Sequence, residues 1–168
     1  MATKPYPVEP EPGLRVTRDL VDLRTERRRQ FIDLTDLVGE RVRRSGLSEG
    51  IACIQTLHTT TALLLNENEP LLLEDLSRLL ERLAPEDLDY AHDDIALRRR
   101  HPLAVPPAPD EPPNGDAHCK AVLLPPSQTL TIVEGRLLLG RWQSLFLVEL
   151  DGPRKRTLSI LLLGARRS

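Results

Sequence analysis

Aromatic residues are scarce in this chain, whose 168 residues include one tryptophan, two tyrosines and two phenylalanines. Proteins that hold single-stranded nucleic acid without sequence preference stack its bases on aromatic side chains, so this class is disfavoured. An excess of one charge is also lacking, because 23 Lys and Arg residues nearly balance 25 Asp and Glu residues. The formal net charge of −2 argues against nonspecific electrostatic binding to the phosphate backbone of a nucleic acid.

Cysteines and long apolar runs are equally rare. The two cysteines, Cys53 and Cys119, do not make a disulfide framework. No apolar stretch approaches the roughly 20 residues that span a bilayer, and the polar, Pro-rich residues 1–13 do not resemble a signal peptide. We therefore expect a soluble, cytoplasmic protein with reduced thiols and neither a membrane nor a nucleic-acid partner.

The chain length predicts one domain over residues 13–168, preceded by a flexible Pro/Glu-rich tail at 1–12. Apolar periodicity predicts two main helices, one from residue 35 or 36 to 44 and one from 70 to 84. Strands are predicted at 14–25, 31–34, 50–57, 62–66, 119–124, 129–133, 144–150 and 156–163. This pattern indicates an α+β fold with a largely antiparallel sheet or sandwich. A Pro-rich loop at about 93–113 is either a surface excursion or a lid.

Three of the four histidines, His58, His92 and His118, stand in polar and crowded segments. Neutral imidazole is the commonest protein ligand for zinc-like metals, and a three-histidine site can leave a position open for water or substrate. If the three rings meet in space, they form a metal centre. The alternative for His58 is a ring whose nitrogens are satisfied by the threonine hydroxyls at 59–61.

Polar residues at 66–69 crowd the junction between a predicted strand and a predicted helix. Asn68 is a predicted helix cap. Glu67 is harder to explain structurally, because a carboxylate beside a buried strand end costs desolvation, and we interpret it as a general base or metal partner.

Two basic residues could neutralise an anionic substrate. Lys120 would share a strand face with His118, with Cys119 pointing the other way into the core. Arg154 follows the predicted turn at 151–153 and could hold a phosphate or carboxylate through its fork of donors. The single tryptophan, Trp142, is either a substrate contact or a packing anchor.

Taken together, these segments resemble the YjbQ-like family, described as secondary thiamine-phosphate synthases. The resemblance covers about residues 24–164 and rests on six ordered blocks, which are His58-Thr59-Thr60 with Asn66-Glu67-Asn68, Tyr90 with His92, Asn114-Gly115 with Ala117-His118 and Lys120-Ala121, Gly135-Arg136-Leu137 with Leu139-Gly140, Trp142-Gln143, and Asp151-Gly152-Pro153-Arg154. The chain departs from the family pattern at Thr61, where a small apolar residue is common, and in the longer Pro-rich stretch before Asn114.

The resemblance implies a β-sandwich-like core and a homotrimer. It also implies a metal site at the three histidines, holding zinc, or magnesium together with a phosphorylated substrate. The implied activity is a weak transfer that joins a pyrimidine pyrophosphate to a thiazole phosphate, and the physiological role of the family is unsettled.

Three hypotheses for the function follow. In the first, a metal-assisted enzyme uses Glu67 and His58 for catalysis and Asn66, Lys120, Arg154 and Trp142 for substrate binding. The second is a non-catalytic module that binds a small ligand or a metal. The third is a scaffold protein with satisfied core histidines.

Overall fold

In the computed structural model of the chain, residues 13–105, 107–108 and 111–166 are described, so the tail predicted at 1–12 lies outside them. Eight strands and four helices occur in the described part of the chain. The strands are β1 (Leu14–Arg24), β2 (Gln30–Asp33), β3 (Leu47–Thr56), β4 (Thr61–Asn66), β5 (Ser127–Val133), β6 (Arg136–Leu137), β7 (Ser144–Glu149) and β8 (Lys155–Arg166). The helices are α1 (Thr35–Ser45), α2 (Pro70–Leu83), α3 (Ile95–Arg100) and α4 (Gly115–Ala121).

The strands form two antiparallel sheets, which confirms the α+β sandwich. The larger sheet has the order β1-β8-β3-β5-β6 and the smaller sheet has the order β2-β7-β4. The strands β3 and β4 are consecutive but lie in different sheets, so the chain crosses from one sheet to the other at residues 57–60. This crossing carries His58.

Alternating apolar side chains build the main core between the two sheets. On β3 the inward face carries Ala52 and Ile54, both fully buried, as the period-2 pattern predicts. Leu145 and Leu147 of the smaller sheet meet this face, and Val38 of α1 joins the same cluster.

The outer face of the smaller sheet is covered by α2 and α4. The strand β7 is buried on both faces, so Phe146 and Val148 point away from the main core into a second cluster. Leu80 of α2 and Ala117 of α4 belong to that cluster. The packing therefore fixes α4 against the smaller sheet, whose strand β4 begins shortly after His58.

The prediction of a strand at 119–124 is wrong, because residues 115–121 form the helix α4. The pair Asp116 and Lys120 has the (i, i+4) spacing of a helical ion pair, and their side chains contact at 2.6 Å. The prediction that Cys119 points into the core is therefore also wrong, because its side chain is exposed on the surface of α4.

Smaller corrections concern the helix ends and the Pro-rich segment. Glu69, rather than Asn68, caps α2, because its carboxylate accepts hydrogen bonds from the Leu71 and Leu72 amides. The segment 93–113 is not structureless, since it contains α3, which Asp94 caps through a hydrogen bond from the Leu97 amide.

Two glycines allow β3 and β8 to approach closely. A Cβ atom on Gly164 would overlap the carbonyl oxygen of Glu49, and one on Gly50 would overlap the carbonyl oxygen of Leu163. The two backbones pair next to the register shift between Leu47 and Glu49. Neither position has room for a side chain.

Over the described ranges, no helix has the length and hydropathy that a membrane span requires.

Candidate functional site

An open cleft of about 670 Å³ lies between the crossing at residues 57–60 and the helix α4. His58, Thr59 and Thr61 line one side, and His118 with Val122 lines the other. Two of the three predicted histidines, 60 residues apart in sequence, therefore face one concavity. A second cavity of about 1200 Å³ lies along α2 and the loop after it, but no histidine lines it.

The imidazole of His58 is held by the backbone of β8. Its Nε2 accepts a hydrogen bond from the Thr157 N–H at 2.7 Å, and the Leu57 N–H donates to the Thr157 carbonyl at 3.2 Å. The last β3–β8 pair is Thr56 with Leu158, so these two bonds extend the ladder by one step. The threonine hydroxyls, which were the alternative partners, do not bond the ring.

Thr61, where the chain departs from the family pattern, is buried and supports the crossing. Its hydroxyl contacts the hydroxyl of Thr56 and donates to the His58 carbonyl at 3.5 Å. A hydroxyl is thus accommodated at a buried position because two oxygen partners are within reach.

A buried ion pair lies behind His58. The Glu149 carboxylate is fully buried and accepts from the Arg156 guanidinium at 2.5 and 2.6 Å, while Arg156 also donates to the Thr60 hydroxyl at 3.1 Å. Burial favours the protonated form of Glu149, but Arg156 together with the hydrogen bonds from the Asp151 amide and the Thr25 hydroxyl outweighs it, so the pKa of this carboxyl is lowered. Burial, and then the positive Arg156, lower the pKa of His58.

The position of His118 depends on the start of α4. The Asp93 carboxylate accepts from the amides of Asn114 and Gly115, both at 2.9 Å. Gly115 lies against Tyr90, and a Cβ atom there would overlap the tyrosine side chain. The segment around His92 is therefore tied directly to the helix that carries His118.

His92 packs edge-on against His118, with 4.7 Å between the ring centroids. The Nε2 atom of His92 is buried, has no hydrogen-bond partner among the described residues and lies 3.7 Å from Glu111. Glu111 in turn pairs with Arg98 at 2.6 Å, which joins the two ends of the Pro-rich segment beside His92. Burial, and then His92, lower the pKa of His118.

The three histidines thus gather around α4, but they do not form a complete ligand set. Over residues 13–105, 107–108 and 111–166, no group of three or more His, Cys, Asp or Glu side chains is arranged to hold one metal ion. His92 and His118 are adjacent, whereas the Nε2 of His58 is occupied by the Thr157 N–H.

Arg154 and Asn114 meet at the buried carboxylate of Asp151. Arg154 donates to Asp151 at 2.9 Å, and the Asn114 side-chain amide donates at 3.0 Å. The Oδ1 atom of Asn114 is buried and accepts no hydrogen bond from any residue that the structure describes. Sequence reasoning identified Arg154 but interpreted residue 151 only as part of a turn, and Asn114 only as a turn signal and part of the resemblance.

Lys120 is fully buried, unlike most lysines, and does not face the cleft. Its ammonium contacts Asp116 at 2.6 Å and Glu81 at 3.0 Å, which ties α4 to α2. Asp116 also pairs with Arg28 at 2.7 Å. Burial opposes ionisation of Asp116, but Lys120 and then Arg28 outweigh it and lower the pKa of this carboxyl.

Asn66 and Glu67 lie at the end of β4 that is remote from the cleft. Thr61 begins β4 and Asn66 ends it, and five steps of a strand span about 17 Å. The Glu67 amide donates to the Asn66 side chain at 2.9 Å. Neither residue lines the cleft that contains His58 of the same chain.

Trp142 lies in the turn between β6 and β7, where 62% of its surface is exposed. The Arg141 guanidinium stacks on its ring at 4.6 Å. The ring is therefore not a packing anchor within this chain, and it does not line the cleft.

Comparison with known proteins identifies relatives over nearly the whole domain. Residues 19–165 match the family model described as UPF0047 protein YjbQ-like. A UPF0047 protein of Methanothermobacter thermautotrophicus is 39% identical over 142 residues, covering 84% of this chain and 88% of the relative. The UPF0047 protein YugU of Bacillus subtilis is 31% identical, covering 86% of this chain and 97% of the relative.

Solved structures show the same fold. A YbjQ-like protein of unknown function from Sulfolobus solfataricus superposes with a TM-score of 0.77 at 32% identity, covering 90% of this chain and 99% of that protein. A hypothetical protein from Aeropyrum pernix gives a TM-score of 0.74 at 32% identity, covering 88% and 98% of the two chains.

Proposed function

Because this chain belongs to the UPF0047 YjbQ-like family, we propose that it is an enzyme acting on a small phosphorylated substrate in the cleft between His58 and His118. The specific reaction we propose is the family's thiamine-phosphate synthase activity. In that reaction a thiazole nitrogen forms a bond to the pyrimidine methylene carbon and displaces pyrophosphate. The convergence of His58, His92 and His118 on α4 is the observation that carries the proposal.

The arrangement supports substrate chemistry better than a structural role for the histidines. Two imidazoles facing one concavity can donate to the oxygens of an anion or move a proton. His92 has a buried nitrogen with no hydrogen-bond partner in the part of the chain that the structure describes, which is uncommon for a ring that serves only packing. Arg154, which is partly exposed and pairs with Asp151, is the cation we assign to the substrate, while Lys120 positions α4 through its contacts with Asp116 and Glu81.

A metal fits this site in part. The Nε2 of His92, which has no partner among the described residues and lies next to His118, suits zinc. Magnesium prefers oxygen ligands and would be held by the substrate phosphates rather than by the imidazoles. When bound, the metal would polarise a phosphate oxygen as a Lewis acid. Two protein ligands are too few for a closed zinc site, so substrate, water or a neighbouring subunit of a homotrimer would complete it.

The proposed homotrimer also decides whether Glu67 can take part in the reaction. Since Glu67 follows Asn66, which lies about 17 Å along β4 from the cleft of its own chain, it can transfer protons only in a site shared between subunits. Sedimentation of the purified protein is the test, and a monomer at working concentration would remove Glu67 from the proposed site.

Pyrophosphate release from the pyrimidine pyrophosphate and the thiazole phosphate measures the proposed activity. We expect His118→Ala to abolish turnover. His101→Ala is the matched control, because His101 is exposed, does not line the cleft, and its Nδ1 accepts a hydrogen bond from the Leu103 amide of its own loop at 3.3 Å. Substrate that stabilises the fold with no product formed would instead favour a binding module.

Metal content of the same proteins tests the metal separately. His92→Ala and His118→Ala should lose bound metal and His101→Ala should keep it. Full metal content in all three variants would contradict the assignment.

A further inference from the structure

The imidazole of His58 differs from the other two rings of the site in one respect, which is that its Nε2 already has a partner. The Thr157 N–H donates to it at 2.7 Å. A nitrogen that accepts a hydrogen bond carries no proton, so the proton of a neutral ring must lie on Nδ1. A protonated nitrogen cannot bind a metal, because ligation requires its lone pair.

The ring orientation follows from the needs of the backbone. Thr157 is just beyond the last β3–β8 pair, and its carbonyl already accepts the Leu57 N–H at 3.2 Å. His58 supplies the acceptor that a β3 carbonyl would otherwise provide. Turning the ring over would place a C–H group against the Thr157 N–H and leave this half-buried amide unpaired, at a cost in free energy.

We propose that His58 presents Nδ1–H to the cleft as a hydrogen-bond donor to a phosphate oxygen of the substrate and is not a metal ligand. No protein group accepts from Nδ1 within the described part of the chain, and the half-buried ring lines the cleft. Burial of the ring, and then the nearby Arg156 guanidinium, lower the pKa of His58 and so disfavour a positive imidazole. The inference rests on the proposed function, since it assigns a role at the same cleft.

Two variants separate the two nitrogens of the ring. The side-chain amide of His58→Asn can replace the Nδ1–H donor but does not reach Thr157. The longer amide of His58→Gln can place an oxygen where Nε2 accepts the Thr157 N–H but supplies no donor at the Nδ1 position. We therefore expect His58→Asn to lose mainly stability and His58→Gln to lose mainly anion binding. If His58 were a metal ligand, this opposite pattern would not be expected.

Inorganic phosphate and pyrophosphate are the probes, with binding measured by calorimetry and stability by urea unfolding. We expect His58→Gln to bind either anion at least about tenfold more weakly than the wild type. The affinity of His58→Asn should stay closer to that of the wild type. Stability should show the reverse order, with His58→Asn the less stable variant. Equal losses of binding in the two variants would overturn the donor role and leave the proposed function standing.

The proton itself can be located by ¹⁵N–¹H correlation of the imidazole signals in wild-type protein at neutral pH, with His58→Asn identifying the resonance. A proton on Nδ1 alone is expected, and a proton on Nε2 would overturn the inference. Zinc titrated alone should bind both variants as it binds the wild type, and a matching loss of zinc from both would also overturn it. If the wild type bound neither anion, the proposed function would fail and the donor role with it.

Discussion

Replacing Lys120 by methionine tests whether this lysine holds the fold together or binds substrate. Methionine keeps an unbranched apolar stem and removes the positive charge together with its N–H donors. In the folded protein the ammonium contacts Asp116 at 2.6 Å and Glu81 at 3.0 Å, and the lysine side chain has no exposed surface. The change therefore leaves the Asp116 carboxylate buried with Arg28 as its remaining partner.

Breaking a buried ion pair by removing one partner costs roughly 3–5 kcal/mol. Because Arg28 stays on Asp116, we expect Lys120→Met to lose about 3 kcal/mol, at the lower end of that range. For a domain of this size a loss of 1 kcal/mol lowers Tm by about 2–4 °C, so the expected decrease is about 6–12 °C.

Urea unfolding and thermal unfolding of Lys120→Met measure this loss. Lys155→Met is the matched control, since Lys155 pairs with Asp22 at 2.8 Å but is 71% exposed, and its removal should change stability very little. A Lys120→Met protein as stable as the wild type, with weakened pyrophosphate binding, would refute the structural role and restore Lys120 as a substrate contact.

The remaining predictions concern acid stability and the close approach of β3 to β8. Asp116 and Glu149 have pKa values lowered by folding, so their stabilisation is complete above the unfolded values of about 3.9 and 4.3 and is lost as the pH falls through the folded ones. Urea unfolding from pH 6 down to pH 3 should show a steeper loss for the wild type than for Asp116→Asn, and equal slopes would contradict this reasoning. Gly164→Ala should cost more than about 3 kcal/mol in the same assay, because its Cβ would overlap the Glu49 carbonyl. The control Gly39→Ala, in the interior of α1 with room for a Cβ, should gain about 0.5–1 kcal/mol, and similar values for the two variants would be inconsistent with the overlap.

Local patterns were sufficient for most of the strands and the two long helices. The apolar residues from 51 to 54 were sufficient to predict a strand at 50–57, which overlaps β3. Gly46 ends α1 in the left-handed conformation that only a residue without a Cβ adopts easily. Pro70 begins α2, where its missing N–H is not needed.

The helix α4 was missed because it is too short for its periodicity to stand out. Its seven residues contain small and polar side chains, which an alternating pattern also fits. The one local signal was the spacing of Asp116 and Lys120. That signal is weak in the sequence, since the same two residues would also suit an exposed strand.

The chemical state of each histidine could not be read from the chain, because long-range partners decide it. The polar segments around His58 and His118 led to the prediction of a shared site, and the two side chains do line one cleft. The acceptor role of the His58 Nε2 depends on Thr157, 99 residues away, whose amide lies one step beyond a strand pairing. Residue type therefore identifies which rings can bind a ligand, whereas the backbone register determines which of their nitrogens remains free to do so.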